Sequence, residues 1–335
     1  MAGPKPTTVT EAFDSSEPQS SARLAAREDR IEPHATHSRL TAGVTPVMYP
    51  PAARLGRWVR TLEKGLRILV HSNLFISIAT TSVAVTTARL VGLPLEALPL
   101  FVVFAATLFV YTVNRLTDLE EDEQNVPQRA AFTKRYGRRW LGLGSFLYLV
   151  AVVASLALGL PGTGYMLAPL LAVVLYSQVG IKRVFFLKNL FVGLAWGAIP
   201  LGVGYYYGQL WTAEILFLTG YVAAMITVAA VIFDVKDIQG DIEEGISTIP
   251  NTVGPEQTRQ VAQLGNAAVA IAVVSVVTAG LVPTRLLAVL SMNAYVASYV
   301  PFATPDRGPL FYGFVVDGEH VFLAGVVVGL EWLLW

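Results

Sequence analysis

Long apolar runs recur along this chain, and they constrain its fold more than any other feature. About nine such runs, most of them about 20 residues long, follow one another from the basic cluster near residue 60 to the C terminus. Each run has the length of a helix that crosses a bilayer. Their residues lack the strict polar–apolar alternation of a membrane β-barrel. The sequence therefore predicts an all-α, polytopic membrane protein with about nine transmembrane helices.

The composition supports this prediction and excludes other classes. Hydrophobic residues make up 54% of the chain and charged residues 14%, against roughly a quarter charged in a soluble domain. The formal net charge is zero, so overall charge gives no sign of a nucleic-acid partner. Cysteine is absent, which excludes disulfides, thiolate metal sites and cysteine nucleophiles.

The chain divides into a polar N-terminal part and an apolar remainder. Residues 1–55 are rich in Ser, Thr, Pro, Ala and mixed charge, and we predict a disordered tail there. Residues 56–335 form the predicted transmembrane domain, in contact with membrane lipids. Lys and Arg concentrate in the loops after every second apolar run, whereas LGLPGTG and GQLWTAE contain neither. The positive-inside rule then predicts a multi-pass cell-membrane protein with a cytoplasmic N terminus.

A cluster of carboxylates ends the sixth apolar run. Asp234, Asp237 and Asp241 are spaced by three and four residues, so a continuing helix would place all three on one face. Carboxylates this close repel one another unless a cation lies between them. A hard divalent cation would satisfy that requirement.

A second polar cluster ends the second apolar run in the same way. Asn114, Asp118 and Asp122 fall at positions i, i+4 and i+8, again on one face of a helix. Both clusters lie on the predicted cytoplasmic side. They indicate Mg2+ ions that bridge to a phosphate-bearing substrate. The alternative for either cluster is a solvated charged loop, which is the usual meaning of a charge run.

A basic pair lies at the predicted cytoplasmic end of the fourth run. Lys182 and Arg183 follow Tyr176 in the segment LYSQVGIKR. Arg offers a planar fork of donors to phosphate and Lys a compact charge, so the pair could neutralise phosphate oxygens. The alternative is that both residues only set the topology, because such residues are common at cytoplasmic helix ends.

These motifs together resemble the signatures of the UbiA superfamily of intramembrane prenyltransferases. The pattern D-x-x-D-x-x-G-D-x-x-x-G-x-x-T-x-P is matched by Asp234, Asp237, Gly240, Asp241, Gly245, Thr248 and Pro250. The pattern N-x-x-x-D-x-x-x-D is matched by Asn114, Asp118 and Asp122. The resemblance implies a helical bundle around a central cavity, open to the cytoplasmic side, in which Mg2+ holds the diphosphate of a polyprenyl donor.

The resemblance also implies an activity and the roles of individual residues. The expected enzyme transfers a polyprenyl group to an apolar or amphipathic acceptor, such as a quinone precursor or an isoprenoid lipid. The implied metal ligands are Asn114, Asp118, Asp122, Asp234, Asp237 and Asp241. The implied diphosphate-binding residues are Asn114, Tyr176, Lys182 and Arg183. The residues expected to be catalytic are Asp118, Asp237, Lys182 and Arg183.

Two positions depart from the family pattern, and both bear on the acceptor. Arg115 follows the motif asparagine, where many members have Asp, and NVPQRAAFTKRYG replaces a downstream Arg-Pro pair. We expect Arg129 or Lys134 to supply the missing positive charge. Asp317 and Glu319, near the start of the last run, have no predicted role beyond solvation at the membrane interface.

Two other functional classes are also compatible with the sequence. Intramembrane carboxylates also mark ion-coupled secondary transporters, and a non-catalytic membrane scaffold could retain the motifs. A transporter of this kind is expected to carry its acids at mid-bilayer depth on broken helices. Here the acids lie at the ends of apolar runs, which favours the enzyme.

Overall fold

The computed structural model describes residues 51–175 and 183–334, which form helices and turns with no β-strand. The all-α prediction is confirmed. In chain order, the α-helices of these residues are α1 (Pro51–His71), α2 (Leu74–Val91), α3 (Ala97–Thr117), α4 (Leu119–Asn125), α5 (Pro127–Ala157), α6 (Ala168–Val173), α7 (Leu187–Tyr206), α8 (Ala213–Phe233), α9 (Ile238–Glu243), α10 (Ile249–Val253), α11 (Pro255–Thr278), α12 (Leu290–Tyr299) and α13 (Glu319–Leu334). Shorter 3-10 segments are Thr163–Leu167, Thr284–Val289 and Val300–Phe302, and Phe311–Val316 is π-helical.

Seven helical segments within the described residues are long and apolar enough to cross a membrane. They are α2, α3, α5, α7, α8, α11 and the segment Phe311–Leu334 that contains α13. The predicted number of about nine is not confirmed. One of the remaining runs gives the short helix Thr163–Val173, just before the undescribed residues. The other gives α12, which is 10 residues long and lies between two 3-10 segments.

The predicted tail lies almost wholly outside the described residues. Helix α1 begins at Pro51, before the predicted boundary at residue 56. The division into a tail and a membrane domain therefore stays a prediction, as does the orientation of the N terminus.

Helices α7 and α8 make the closest helix pair, and two glycines allow it. A Cβ atom on Gly193 would lie 2.5 Å from the carbonyl oxygen of Ala223, and one on Gly197 would lie 2.9 Å from the Cβ of the same alanine. Small residues spaced by four let membrane helices approach until their backbones touch. The close contact brings the start of α7 beside the end of α8, where the second acidic motif begins.

The core lies where α2, α8, α11, α12 and α13 pack together. Its fully buried side chains include Leu90, Leu218, Met225, Leu286, Met292 and Leu323. A buried polar contact also joins α11 to α12, because Asn293 Nδ2 donates to Asn266 Oδ1 at 2.8 Å. Such a hydrogen bond between two membrane helices fixes the rotation of each helix about its axis, which apolar packing alone determines less specifically.

Both acidic motifs lie where a long helix ends and a short one begins. Helix α3 ends at Thr117 and α4 begins at Leu119, although i to i+4 backbone bonds of 2.9 Å continue through Asp118. Helix α8 ends at Phe233, and residues 234–237 form a turn before α9. The chain therefore does not continue as one helix through Asp234, Asp237 and Asp241, and the three side chains do not share one helical face. In the turn, the Asp237 N–H donates to Asp234 O at 3.2 Å, an i to i+3 bond that rotates Asp237 away from the helical spacing.

Candidate active site

The second acidic motif is organised around the ammonium group of Lys188. Its Nζ lies 3.0 Å from Asp234 Oδ1 and 3.4 Å from Asp241 Oδ2. Asn189, the next residue of α7, donates from Nδ2 to Asp234 Oδ2 at 2.9 Å. Burial raises the pKa of Asp241 to about 6, although Lys188 opposes that shift. The first turn of α7 thus supplies a cation and an amide to two buried carboxylates.

Asp237 lies apart from this pair and faces its own lysine. Lys236 Nζ donates to Asp237 Oδ1 at 2.6 Å, and the side chains of both residues are less than one-fifth exposed. The three aspartates therefore share the end of α8 and the start of α9, but they do not share one cation.

The first motif also meets basic side chains. Asp122 is buried in α4, where Arg129 Nε donates to its Oδ2 at 2.9 Å and Arg115 NH1 lies 3.8 Å from its Oδ1. A second Arg129 nitrogen contacts Asp122 Oδ1, which completes a bidentate pair. Burial would raise the pKa of Asp122, but Arg115 and Arg129 outweigh it and hold that pKa below its ordinary value. Arg129 thus supplies the positive charge expected near this motif, whereas Lys134 pairs with the exposed Glu123 at 2.7 Å.

The other two members of the first motif lie just before Asp122. Asp118 Oδ1 lies 3.4 Å from the hydroxyl of Thr117 at the junction of α3 and α4. Asn114 Oδ1 is buried and accepts no hydrogen bond within the described part of the chain. A buried carbonyl oxygen without a donor is costly, so this atom has a lone pair available for a ligand.

The two motifs adjoin each other through α4 and α9. A Cβ atom on Gly240 of α9 would lie 2.5 Å from Nδ2 of Asn125, the last residue of α4. The two short helices therefore touch where the motif has glycine. Lys236, which lies in the turn just before α9, is also a charged neighbour of Asp122.

The predicted basic segment is only partly described. Tyr176 and Lys182 lie outside the described residues, so their roles stay predictions. Arg183 is exposed at the start of the segment that leads into α7.

Sequence reasoning missed Lys188 as a member of the site. Lys188 follows Lys182 and Arg183 in the same basic segment of the sequence. Its position directly before Asn189 could have indicated that it belongs to the site. The expectation that Glu319 is solvated is wrong, because Glu319 is 1% exposed and accepts a hydrogen bond of 2.9 Å from the Tyr299 hydroxyl.

The donor atoms of the two motifs fit a hard cation in their chemistry. Carboxylate and amide oxygens are the ligands that Mg2+ takes in proteins, and Asn114 Oδ1 has a lone pair to offer. Among the described residues, however, no three acidic or histidine side chains are grouped so that they could hold a metal ion. Lysine and arginine nitrogens occupy the positions between the acids instead. A divalent cation would have to displace these groups from the carboxylates.

Comparison with known proteins identifies the family. A sequence model of the UbiA prenyltransferase family matches residues 74–333, which is most of the chain and includes both motifs. The chain belongs to the UbiA prenyltransferase family. The resemblance predicted from the two motifs is thereby confirmed, and the helical membrane fold is the one expected of a UbiA protein.

Individual relatives agree with the family. The chain is 28% identical over 173 residues to a digeranylgeranylglyceryl phosphate synthase of Thermococcus gammatolerans, an alignment that covers 50% of this chain and 60% of the relative. It therefore spans less than two-thirds of the length of that UbiA relative.

Solved structures of UbiA homologues share the fold. The apo structure of a homologue from Aeropyrum pernix K1 aligns with a TM-score of 0.57 at 17% identity, over 76% of this chain and 98% of the other. A homologue from Archaeoglobus fulgidus, bound to DMAPP and Mg2+, aligns with a TM-score of 0.54 at 13% identity, over 80% and 99% of the chains. At these identities the likeness is one of fold.

Proposed function

We propose that this protein transfers a polyprenyl group from a polyprenyl diphosphate to a lipophilic acceptor within the membrane, with Mg2+ as cofactor. The observation that carries the proposal is the family match over a chain whose two acidic motifs adjoin through α4 and α9. A homologue of the same fold has been solved with DMAPP and Mg2+, which supports a prenyl diphosphate as donor.

We assign the metal ligands to both motifs: Asn114, Asp118, Asp122, Asp234, Asp237 and Asp241. When bound there, Mg2+ would neutralise the diphosphate and so make it a better leaving group. The chain's own cations would also neutralise charge on the diphosphate. With the metal bound to the carboxylates, Lys188, Arg129 and Lys236 would be free to offer their positive charge to the diphosphate oxygens. In the same proposal Tyr176, Lys182 and Arg183, which precede α7 in the sequence, bind the diphosphate.

The apolar surroundings protect the reactive donor carbon. Breaking the allylic C–O bond leaves a cation that water would quench. The ring centroids of Phe233 and Tyr312 lie 5.8 Å apart, and both rings line the cavity that Arg129 and Lys236 also line. In this proposal the two rings help to keep water from the cation. Aromatic faces also stabilise a nearby cation through their quadrupole.

For the acceptor, we favour an isoprenoid lipid over a quinone precursor. The support is the name of the aligned relatives, digeranylgeranylglyceryl phosphate synthase, whose named product is a glyceryl phosphate lipid. An anionic headgroup of that kind would suit a site that contains Arg115, at a position where many family members have Asp.

Purified protein tests the proposal directly. The protein in detergent or nanodiscs is incubated with radiolabelled geranylgeranyl diphosphate, Mg2+ and a lipid extract as acceptor pool. We expect labelled lipid product and released diphosphate, both abolished by EDTA. If no acceptor pool yields diphosphate release and EDTA changes nothing, the enzyme proposal fails.

We also propose that the site opens to the cytoplasm. The chain has no cysteine, so single cysteines report topology without background. Glu120 on the site side and Gln209 between α7 and α8 are both exposed. A membrane-impermeant maleimide should label Gln209→Cys in intact cells and Glu120→Cys only after lysis. The reverse pattern would place the site outside.

A further inference from the structure

Asp317 follows a π-helical turn at the start of the last span. Its N–H donates to Tyr312 O at 3.2 Å, the i to i−5 bond of the π-helix Phe311–Val316. Single π turns are frequent at functional sites. A carboxylate within a membrane span is also costly and by default marks a functional position.

Asp317 lines a cavity beside the two motifs. The other charged or phenolic groups around this cavity include Arg115, Arg129, Lys236, Tyr111 and Tyr312. Asp317 is the only acid among the described residues that line it. Arg115, Lys236 and Arg129 are charged neighbours of its carboxylate and line the same cavity.

The cations of this cavity connect it to the proposed donor site. Arg129 holds Asp122, and Lys236 holds Asp237 at 2.6 Å. Two side chains that line the cavity thus also contact the acids assigned to the metal. The donor diphosphate and Asp317 would therefore face the same small volume from different walls.

The proposed reaction requires a proton acceptor in this volume. As the allylic C–O bond breaks, its electron pair leaves with the diphosphate, and an acceptor hydroxyl oxygen forms the new C–O bond. The hydroxyl proton must then pass to a base. Resting on the proposed function, we infer that Asp317 is this catalytic base and that the acceptor is a lipid with a free hydroxyl group. The carboxylate accepts a hydrogen bond from the hydroxyl and then takes its proton.

His71 is the other candidate base in the cavity, and its surroundings disfavour it. Both ring nitrogens of His71 are buried without a hydrogen-bond partner. Burial lowers the pKa of His71 to about 4, with a further contribution from Arg129, Arg67 and Arg115. A protonated imidazole there would face the positive charges of Arg129, Arg67 and Arg115, so the role falls to the carboxylate.

The test compares Asp317→Asn with the matched control Glu331→Gln. Glu331 is an acid of the same helical segment, but it pairs with Arg89 at 3.1 Å, at the end of α2 that is remote from the motifs. The acceptor probes are a monoalkylglycerol phosphate with one free hydroxyl and the same lipid with that hydroxyl methylated. The donor is radiolabelled geranylgeranyl diphosphate with Mg2+.

We expect Asp317→Asn to lower kcat about 10²–10⁴-fold, the usual contribution of a general base, while the donor KM stays within about twofold. Asp317→Glu should restore part of kcat, and the wild type should prenylate only the probe with the free hydroxyl. Asp317→Glu also covers the case in which the asparagine variant does not fold.

Three outcomes would overturn the inference. They are a kcat for Asp317→Asn within threefold of wild type, an Asp317→Glu variant that folds but is no more active than Asp317→Asn, and prenylation of the methylated probe. A wild-type protein that releases diphosphate but prenylates neither probe also refutes the hydroxyl class. A wild-type protein that never releases diphosphate refutes the proposed function itself, which separates the two failures.

Discussion

Lys188 Nζ lies 3.0 Å from Asp234 Oδ1, so the first turn of α7 supplies a cation to the end of α8. The same ammonium reaches Asp241 at 3.4 Å. Without a counter-charge these two buried carboxylates would repel each other, because burial weakens solvent screening. Lys188 thus stabilises the motif in the absence of metal.

Replacing Lys188 with Gln should make the protein depend on Mg2+ for stability. The two carboxylates lose their cation, so the thermal unfolding midpoint without metal should fall by several degrees. Added Mg2+ should then raise the midpoint more in Lys188→Gln than in wild type, because no ammonium competes for the carboxylates. The control is Lys134→Gln, because Lys134 pairs with Glu123 and both side chains are about half exposed. Equal Mg2+ shifts in all three proteins would contradict the proposed metal site.

Replacing Asp118 or Asp237 with Ala should abolish prenyl transfer without expelling the protein from the membrane. Each change removes a proposed metal ligand, and losing one group that stabilises transition-state charge costs about 10²–10³ in rate. Glu120→Ala is the matched control, since Glu120 is exposed two residues from Asp118. Product formation from labelled donor measures the effect. Near-normal rates in either aspartate variant would count against the metal role.

Acidification should destabilise the protein through His71. Its pKa is about 4 in the folded protein and about 6.5 when unfolded, so the unfolded chain binds more protons between those values. The contribution of His71 to the free energy of unfolding is therefore fully present above pH 6.5 and is lost towards pH 4. The loss amounts to up to about 3 kcal/mol. His71→Phe removes the titration and should flatten this part of the profile. Thermal unfolding midpoints across pH measure it, and parallel profiles would disprove the assignment.

Replacing Gly193 with Ala should loosen the contact between α7 and α8. The added methyl group would meet Ala223 O at 2.5 Å, and overpacking of this kind costs about 1–3 kcal/mol. Gly202→Ala is the control on the same helix, because nothing lies within 4 Å of a Cβ at that position. We expect a lower unfolding midpoint for Gly193→Ala alone. An unchanged unfolding midpoint would show that the close contact between α7 and α8 does not contribute to stability.

The sequence allowed the fold class and the family to be predicted, because both depend on local patterns. Apolar runs report membrane helices directly, and the aspartates of the second motif lie in a longer pattern of Gly, Thr and Pro that matches the UbiA family. The number of spans was less accessible, because proline and 3-10 turns shorten α12 in ways that hydropathy does not register.

Side-chain partners were the least predictable part of the site. The face shared by the three aspartates required a continuing helix, and the turn at residues 234–237 breaks it. The pairing of Lys188 with Asp234, and of Arg129 with Asp122, depends on contacts between helices. A single sequence does not encode which of several nearby cations will reach a given carboxylate.

The contact of Gly240 with Asn125 has a consequence for how the protein is made. Asn125 is the last residue of α4, and Gly240 lies in α9, more than a hundred positions later in the chain. During synthesis the first helices can insert and fold while their half of the pocket still lacks its counterpart. Competence for catalysis would then arrive in one late event, when α9 docks, and a ribosome stalled before that point would leave an inserted but inert protein.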